Sequence, residues 1–247
     1  MGLRYEEEFT IPFAMTDVKQ ELILSQFISY CLGLSGRQSE SVGRGDMDVF
    51  EQYGLVWVVT DYDIEIFRLP TYNETVRIVT EAISYNKFFC YRKFFIYDEA
   101  GNLIMDILSY FVLLDFETRK VAPVPDDLIA PYQSEKVKKI QRAPRYHVLE
   151  NPESKDYRIR YFDIDMNGHV NNSKYLEWMY DALEYEFLLE HHPVHVQLKY
   201  VKEVSPGGHI SSKVLLDNLT SQHEIWSEGT VHAQAIITWE KRDDRKG

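Results

Sequence analysis

Apolar and polar positions alternate through most of this chain, and a helical period interrupts the alternation twice. The first interruption follows residues 9–17, where Leu22, Ile23, Phe27, Cys31 and Leu34 recur at spacings of three and four. The second follows residues 157–165, where Tyr175, Leu176, Met179, Leu183 and Phe187 do the same. That spacing gathers apolar side chains on one face and predicts a helix with a buried stripe in each case. Asn171 or Asn172 is placed to cap the second helix.

Strands follow each helix. Residues 69–79 and 205–215 both open on a proline turn, at Pro70 and Pro206, and continue in alternation. Residues 87–97 and 103–116 flank the turn Asp98-Glu-Ala-Gly-Asn102 and predict a hairpin. Residues 222–227 and 230–240, around Glu228-Gly229, predict its shorter counterpart. The order of strand, long helix and four antiparallel strands therefore occurs twice. It predicts an α+β architecture of two tandem units, each with a sheet curling over its helix. The first unit is expected at residues 1–125 and the second at 155–247. Residues 126–154 lie in a stretch with Pro123, Pro125, Pro131, Pro144 and Pro152 and little periodicity, and they read as a surface linker. The tail from Lys241 is expected to fray.

Composition narrows this picture. The 247 residues are 45% apolar, enough for a real core. Aromatics at 14% suit strands and apolar tunnels. A net charge of −12 opposes a general nucleic-acid binder. No apolar run is long enough to span a bilayer, and the start of the chain has no leader-like pattern. Cys31 and Cys90 form no disulfide framework, so a reducing cytoplasm is expected, with both thiols buried and inert. Gly36, Gly43 and Gly45 fit no phosphate cradle, and no cofactor is expected. His191, His192 and His195 sit around Pro193 with poor ligand spacing, so no metal site is expected either.

The candidate chemistry lies in Asp163-Ile-Asp-Met-Asn-Gly-His169. Side chains alternate along an extended or turning segment, so Asp165, Asn167 and His169 can point the same way. A helix starts immediately afterwards, and the backbone N–H groups of Val170 and Asn171 are candidates to receive an oxyanion. The blander reading of Asp163 and Asp165 is an Asx-turn. Tyr175, Trp178 and Tyr180 read as packing residues of the second helix. Lys136, Lys138, Lys139, Arg142 and Arg145 face only Glu135 in opposition, either as a solvated face or as a docking patch.

The segment His169-Val-Asn-Asn-Ser-Lys-Tyr-Leu-Glu-Trp178 is similar to the start of the long helix in hotdog thioesterases. The tandem units, Leu55-Val-Trp-Val-Val-Thr60 and Leu198-Lys-Tyr-Val-Lys-Glu-Val204 narrow the resemblance to acyl-acyl carrier protein thioesterases. It extends from about Phe9 to Trp239. It implies two hotdog units paired as an internal pseudo-dimer, and hydrolysis of the thioester between a fatty acyl chain and acyl carrier protein, ending fatty acid synthesis. The family pattern Asp-x-Asn-x-His falls on Asp165, Asn167 and His169, and its downstream Glu on Glu203. Many plant members carry Cys after that Glu, where this chain has Val204, so a cysteine nucleophile is not available there. The lack of a plastid transit segment gives the expectation of a bacterial-type member or of a mature form from which such a segment has been removed.

On this reading Asp165 attacks the thioester or deprotonates a water, and Asn167 and His169 orient the reacting groups. Glu203 holds His169 or activates water. The first unit has Asp17 but no matching Asn and His. It is expected to receive the acyl chain, with Leu24, Phe27, Ile28, Trp57 and Val59 lining a tunnel. The basic stretch becomes a candidate dock for acidic carrier protein, and the protein is expected to be a monomer or homodimer. An acyl-CoA thioesterase and a non-catalytic acyl-binding tandem hotdog are the alternatives. The His and carboxylate arrangement of a hotdog dehydratase is not found.

Overall fold

The computed structural model describes residues 2–138 and 144–242. They form two compact units, one of residues 2–23 and 27–138, the other of 24–26 and 144–242.

The first unit begins with β1 (Arg4–Thr10), whose side chains alternate between exposed and half-buried. After a short 3-10 turn at Phe13–Met15 comes α1 (Leu24–Ser41), then α2 (Asp46–Tyr53) and β2 (Leu55–Ile66). β3 (Thr75–Tyr85), β4 (Phe89–Tyr97) and β5 (Leu103–Asp115) complete the sheet in the order β1-β3-β4-β5-β2, all antiparallel. Of the predicted stripe, Phe27, Cys31 and Leu34 lie on α1 and are at most 1% exposed, joined there by the buried Leu24 and Ile28. Leu22 and Ile23 lie just before the helix, Leu22 in a bridge to Thr16. The β4–β5 hairpin turns where the sequence predicts. The Asp98 carboxylate accepts the Asn102 N–H at 2.8 Å, and Gly101 sits at φ +84°, where only glycine is unstrained.

The stretch read as a linker is partly folded. β6 (Val121–Ala122) pairs with β5, α3 (Asp126–Ile129) follows, and β7 (Glu135–Lys136) pairs with β3. Leu128 and Ile129 are buried with Val49, Leu55, Tyr85, Leu113 and Val124. Burial of these apolar side chains outweighs the disordering effect of the nearby prolines. Trp57 packs against the same cluster.

The second unit repeats the plan. β8 (Glu153–Arg158) leads through a 3-10 turn at Tyr161–Asp163 to α4 (Asn172–Asp181), α5 (Tyr185–Glu190), β9 (His191–Tyr200), β10 (His209–Asp217), β11 (Thr220–Ser227) and β12 (Thr230–Lys241). The sheet order is β9-β12-β11-β10-β8, equivalent strand for strand to the first. The β11–β12 turn places Glu228 and Gly229 at φ 50° and 74°, the pair of positive angles that a tight hairpin needs.

The second helix also differs from expectation, as does the first unit, where the unpredicted α2 stands between α1 and β2. The stripe from Tyr175 to Phe187 is divided between α4 and α5, with Leu183 in the turn between them. Phe187 then packs on Trp239 at a ring distance of 5.4 Å and stacks on His191 at 4.2 Å. The residues from Asp243 onward, including most of the basic tail, lie outside the described residues.

Candidate active site

The site is built on the passage from β8 to α4. Asp163 is fully buried at the end of the 3-10 turn, and its carboxylate accepts from Arg160 N, Nε and Nη2 at 2.8, 3.2 and 2.9 Å. Burial alone would raise this carboxyl, but the Arg160 guanidinium and backbone N–H aimed at it hold it below the usual carboxylate range. A group lowered in the folded state stabilises above its unfolded pKa, about 4, and that contribution is lost as pH falls through the folded value. Asp163→Asn is therefore expected to show a smaller drop in Tm than wild type when acidified from about pH 4 downward. A thermal melt series tests this; parallel curves would remove Asp163 as a pH-sensitive anchor.

The next seven residues form a closed loop. Ile164 and Val170 make an antiparallel bridge, with Asp165 N–H donating to His169 O at 2.8 Å. Gly168 N–H donates to Asp165 O at 3.0 Å, and Gly168 sits at φ +80°. Asp165 Oδ1 accepts from Asn167 N–H at 2.9 Å and His169 N–H at 3.4 Å. The Asx-turn expected of Asp165 is present, and it is made by Oδ1 alone.

His169 Nε2 lies 3.5 Å from Glu203 Oε2, and both side chains are a little over 40% exposed. The structure therefore brings Asp165, Asn167 and His169 into one loop and sets Glu203 against it. Of the two backbone donors, Asn171 N–H is already engaged, donating to Asp163 O at 2.8 Å. It is corrected from oxyanion donor to loop-closing donor, while its side chain caps α4 by accepting from Ser173 N–H at 2.9 Å. Val170 N–H makes no such bond among the described residues.

Tyr175, read from sequence as packing, has a second role. Its Oη accepts Val204 N–H at 3.0 Å, directly after Glu203. Burial pushes the Tyr175 phenol up to about 12, with the Glu203 and Asp165 carboxylates adding to the rise, so it stays protonated. His232 on β12 was not singled out by sequence; its Nδ1 lies 3.1 Å from Glu203 O.

The first unit contains the same loop without the same chemistry. Asp17 N–H donates to Glu21 O at 2.9 Å, Gln20 N–H donates to Asp17 O at 3.0 Å, and Thr16 bridges Leu22. Asp17 Oδ1 accepts from Lys19 and Glu21 N–H at 2.8 and 3.0 Å. Lys19 and Glu21 stand where the second unit has Asn167 and His169. An aspartate in this turn is a feature of the fold; the amide and imidazole are additions in one copy.

Leu24, Phe27, Ile28 and Val59 are buried, but Trp57 belongs to the cluster under α2 and α3, which contains none of the three α1 residues. Cys31 is buried, and burial raises its thiol far above the ordinary value; burial pushes Cys90 up to about 12. Neither is a ready thiolate. Lys136 is paired with both oxygens of Asp126 at 2.6 and 2.7 Å, so it is not a free cation for docking. Lys138 and Arg145 are exposed, and Lys139 and Arg142 lie outside the described residues. No helix among the described residues is long and apolar enough to cross a membrane.

A duplicated helix-and-sheet unit, with a carboxylate, an amide and an imidazole at the start of the second helix and a facing glutamate, defines a tandem hotdog protein of thioesterase type. Family models agree, the acyl-ACP thioesterase N-terminal domain matching residues 2–132 and the C-terminal domain residues 146–241. The chain belongs to the acyl-ACP thioesterase family. A solved structure described as an oleoyl thioesterase of Lactobacillus plantarum is 33% identical, with a TM-score of 0.92 and 98% of each chain covered. A chloroplastic acyl-[acyl-carrier-protein] hydrolase of Cuphea viscosissima is 27% identical over 171 residues, 66% of this chain and 42% of that protein. An oleoyl-acyl carrier protein thioesterase of Coriandrum sativum is 25% identical over 274 residues, 98% of this chain and 70% of the relative.

Proposed function

We propose that the protein hydrolyses the thioester of fatty acyl-acyl carrier protein, releasing free fatty acid and carrier protein and ending chain growth. Membership of the family and the likeness to the Lactobacillus plantarum protein support this reading. The observation that carries it is the pairing of His169 with Glu203 beside the Asp165 loop, in one of two otherwise equivalent units. Asp165 Oδ1 is tied to backbone N–H groups, so Oδ2 is the oxygen that takes a proton from water or attacks the carbonyl itself. In the water route, hydroxide bonds to the thioester carbon, the C–S bond breaks and the thiolate leaves. The proton that Asp165 takes from water is passed on to the leaving thiolate by way of His169, whose Nε2 lies 3.5 Å from Glu203 Oε2. Val170 N–H is the backbone donor for the developing oxyanion. Asn167 is exposed at the tip of the loop and orients the incoming group.

The first unit receives the acyl chain, with Phe27 and Ile28 supplying apolar surface; each methylene removed from water contributes about 0.8 kcal/mol. The two free cysteines fit a reducing compartment, and the cytoplasm is the one proposed. An acidic carrier approaching a chain of net charge −12 requires a local basic patch, for which Lys138 and Arg145 remain candidates.

The test is thiol release with one acyl group offered on acyl carrier protein and on CoA. Faster release from the carrier protein is expected. Preference for CoA would make this an acyl-CoA thioesterase with the same chemistry, and no release from either would make it an acyl-binding protein.

A further inference from the structure

Glu203 lies beyond the end of β9, outside any helix or strand. A side chain on a loop is a poor positioning device unless its backbone is held. Here it is held from two directions. Val201 and Lys202 N–H both donate to His232 O, at 2.8 and 3.2 Å. The His232 ring turns toward the same segment, with Nδ1 at 3.1 Å from Glu203 O and 3.2 Å from Lys202 O. Carbonyl oxygens only accept, so Nδ1 carries the proton and donates. From the α4 side, Tyr175 Oη accepts Val204 N–H. His232 is 2% exposed and Tyr175 3%.

The first unit provides an internal control. Phe67 and Arg68 N–H donate to Ile104 O at 3.0 and 3.3 Å, as Val201 and Lys202 do to His232 O. That register sets Ile104 against His232 and Leu69 against Glu203. The shared aspartate turn gives the helix register: Phe27 follows Asp17 at the same distance along the chain as Tyr175 follows Asp165. The copy with leucine in place of Glu203 therefore has phenylalanine and isoleucine in place of Tyr175 and His232, both at most 2% exposed. This fold packs those two positions with hydrocarbon when no carboxylate is at stake. Burying a phenol and an imidazole there is unfavourable unless they find partners. The partners they find are the carbonyls and N–H on either side of Glu203.

We propose that Tyr175 and His232 are positioning residues that clamp the 202–204 backbone so that Glu203 faces His169 Nε2. This rests on the site reading given under Proposed function. Neither residue touches the reacting atoms; both act through Glu203.

The experiment borrows the first unit's own residues, Tyr175→Phe and His232→Ile, each made separately in the full chain. His232→Asn is made beside them because its amide nitrogen can stand in for Nδ1. Glu203→Gln and His169→Ala serve as references, and kcat, KM for acyl-carrier substrate and Tm are measured. The expected result is a kcat lowered about 10–100-fold in Tyr175→Phe and His232→Ile. KM should stay within about twofold, since substrate binding is untouched. His232→Asn should recover most of the kcat, and the His232→Ile, Glu203→Gln double variant should be no slower than Glu203→Gln alone. A raised KM with unchanged kcat overturns the proposal, as does a His232→Asn variant no better than His232→Ile. Full activity in both borrowed variants beside an inactive Glu203→Gln overturns the clamp and leaves the site reading standing. Full activity in Glu203→Gln overturns the site reading and the clamp with it.

Discussion

Asp165→Asn is expected to leave the 164–170 loop folded and to lower kcat by about 10²–10⁴-fold, the range for losing a positioned general base. The substitution keeps an amide oxygen where Asp165 Oδ1 accepts the Asn167 and His169 N–H groups, so the turn survives. It removes only the charge and basicity of the other oxygen. Asp165→Ala would also remove the turn's acceptor and mix a structural loss of about 1 kcal/mol with the chemical one. Asp17 supplies the matched control, because its Oδ1 performs the same structural task in the first unit. Asp17→Asn should leave both kcat and Tm unchanged. The measurements are kcat with acyl-carrier substrate and Tm for each variant. Comparable activity in Asp165→Asn and wild type would reduce Asp165 to a turn former, as Asp17 is. Equal loss of activity in the two variants would point to the fold and away from chemistry.

His169→Ala has the second large effect, an expected loss of about 10²–10⁴-fold in kcat. At about 1.4 kcal/mol per factor of ten, that is roughly 3–5 kcal/mol of transition-state stabilisation. Its side chain is 43% exposed and lies 3.5 Å from the Glu203 carboxylate, so removal leaves no core cavity. Tm should hardly move. Because His169 and Glu203 act as a pair, combining His169→Ala with Glu203→Gln should cost little more than the worse single change. A double mutant whose losses multiply would show two independent roles and dissolve the pair. A His169→Ala variant with wild-type turnover would remove imidazole chemistry from the site.

Much of the fold was legible in the chain because its signals are local. A change of period from two to three-and-four marks each helix, and Asp98–Asn102 and Glu228-Gly229 mark hairpins by turn chemistry alone. The site loop was equally local: Asp165, Asn167 and His169 are close in sequence, and the turn joining them is made by their own backbone. Glu203 entered by resemblance, since nothing in its neighbourhood distinguishes it from another charged residue at a strand end. The linker reading gave too much weight to prolines and too little to Leu128 and Ile129, whose partners are far away along the chain. The continuous second helix was equally a local reading; its division lets Phe187 reach Trp239, a contact no periodicity encodes.

By itself, then, the sequence determined the duplication, the order of strand, helix and four strands in each unit without α2 or the α4–α5 division, the places of the hairpin turns and the loop that carries Asp165, Asn167 and His169. The tertiary structure decided which backbone groups remain available and what holds the glutamate. Asn171 N–H is taken by Asp163 O, Lys136 is neutralised by Asp126, and Tyr175 and His232 meet around Glu203. The physical reason is that hydrogen bonds between distant residues depend on strand register and helix packing. A tyrosine at a buried helix position and a histidine at a strand start carry the same local pattern whether they fill a core or grip a loop.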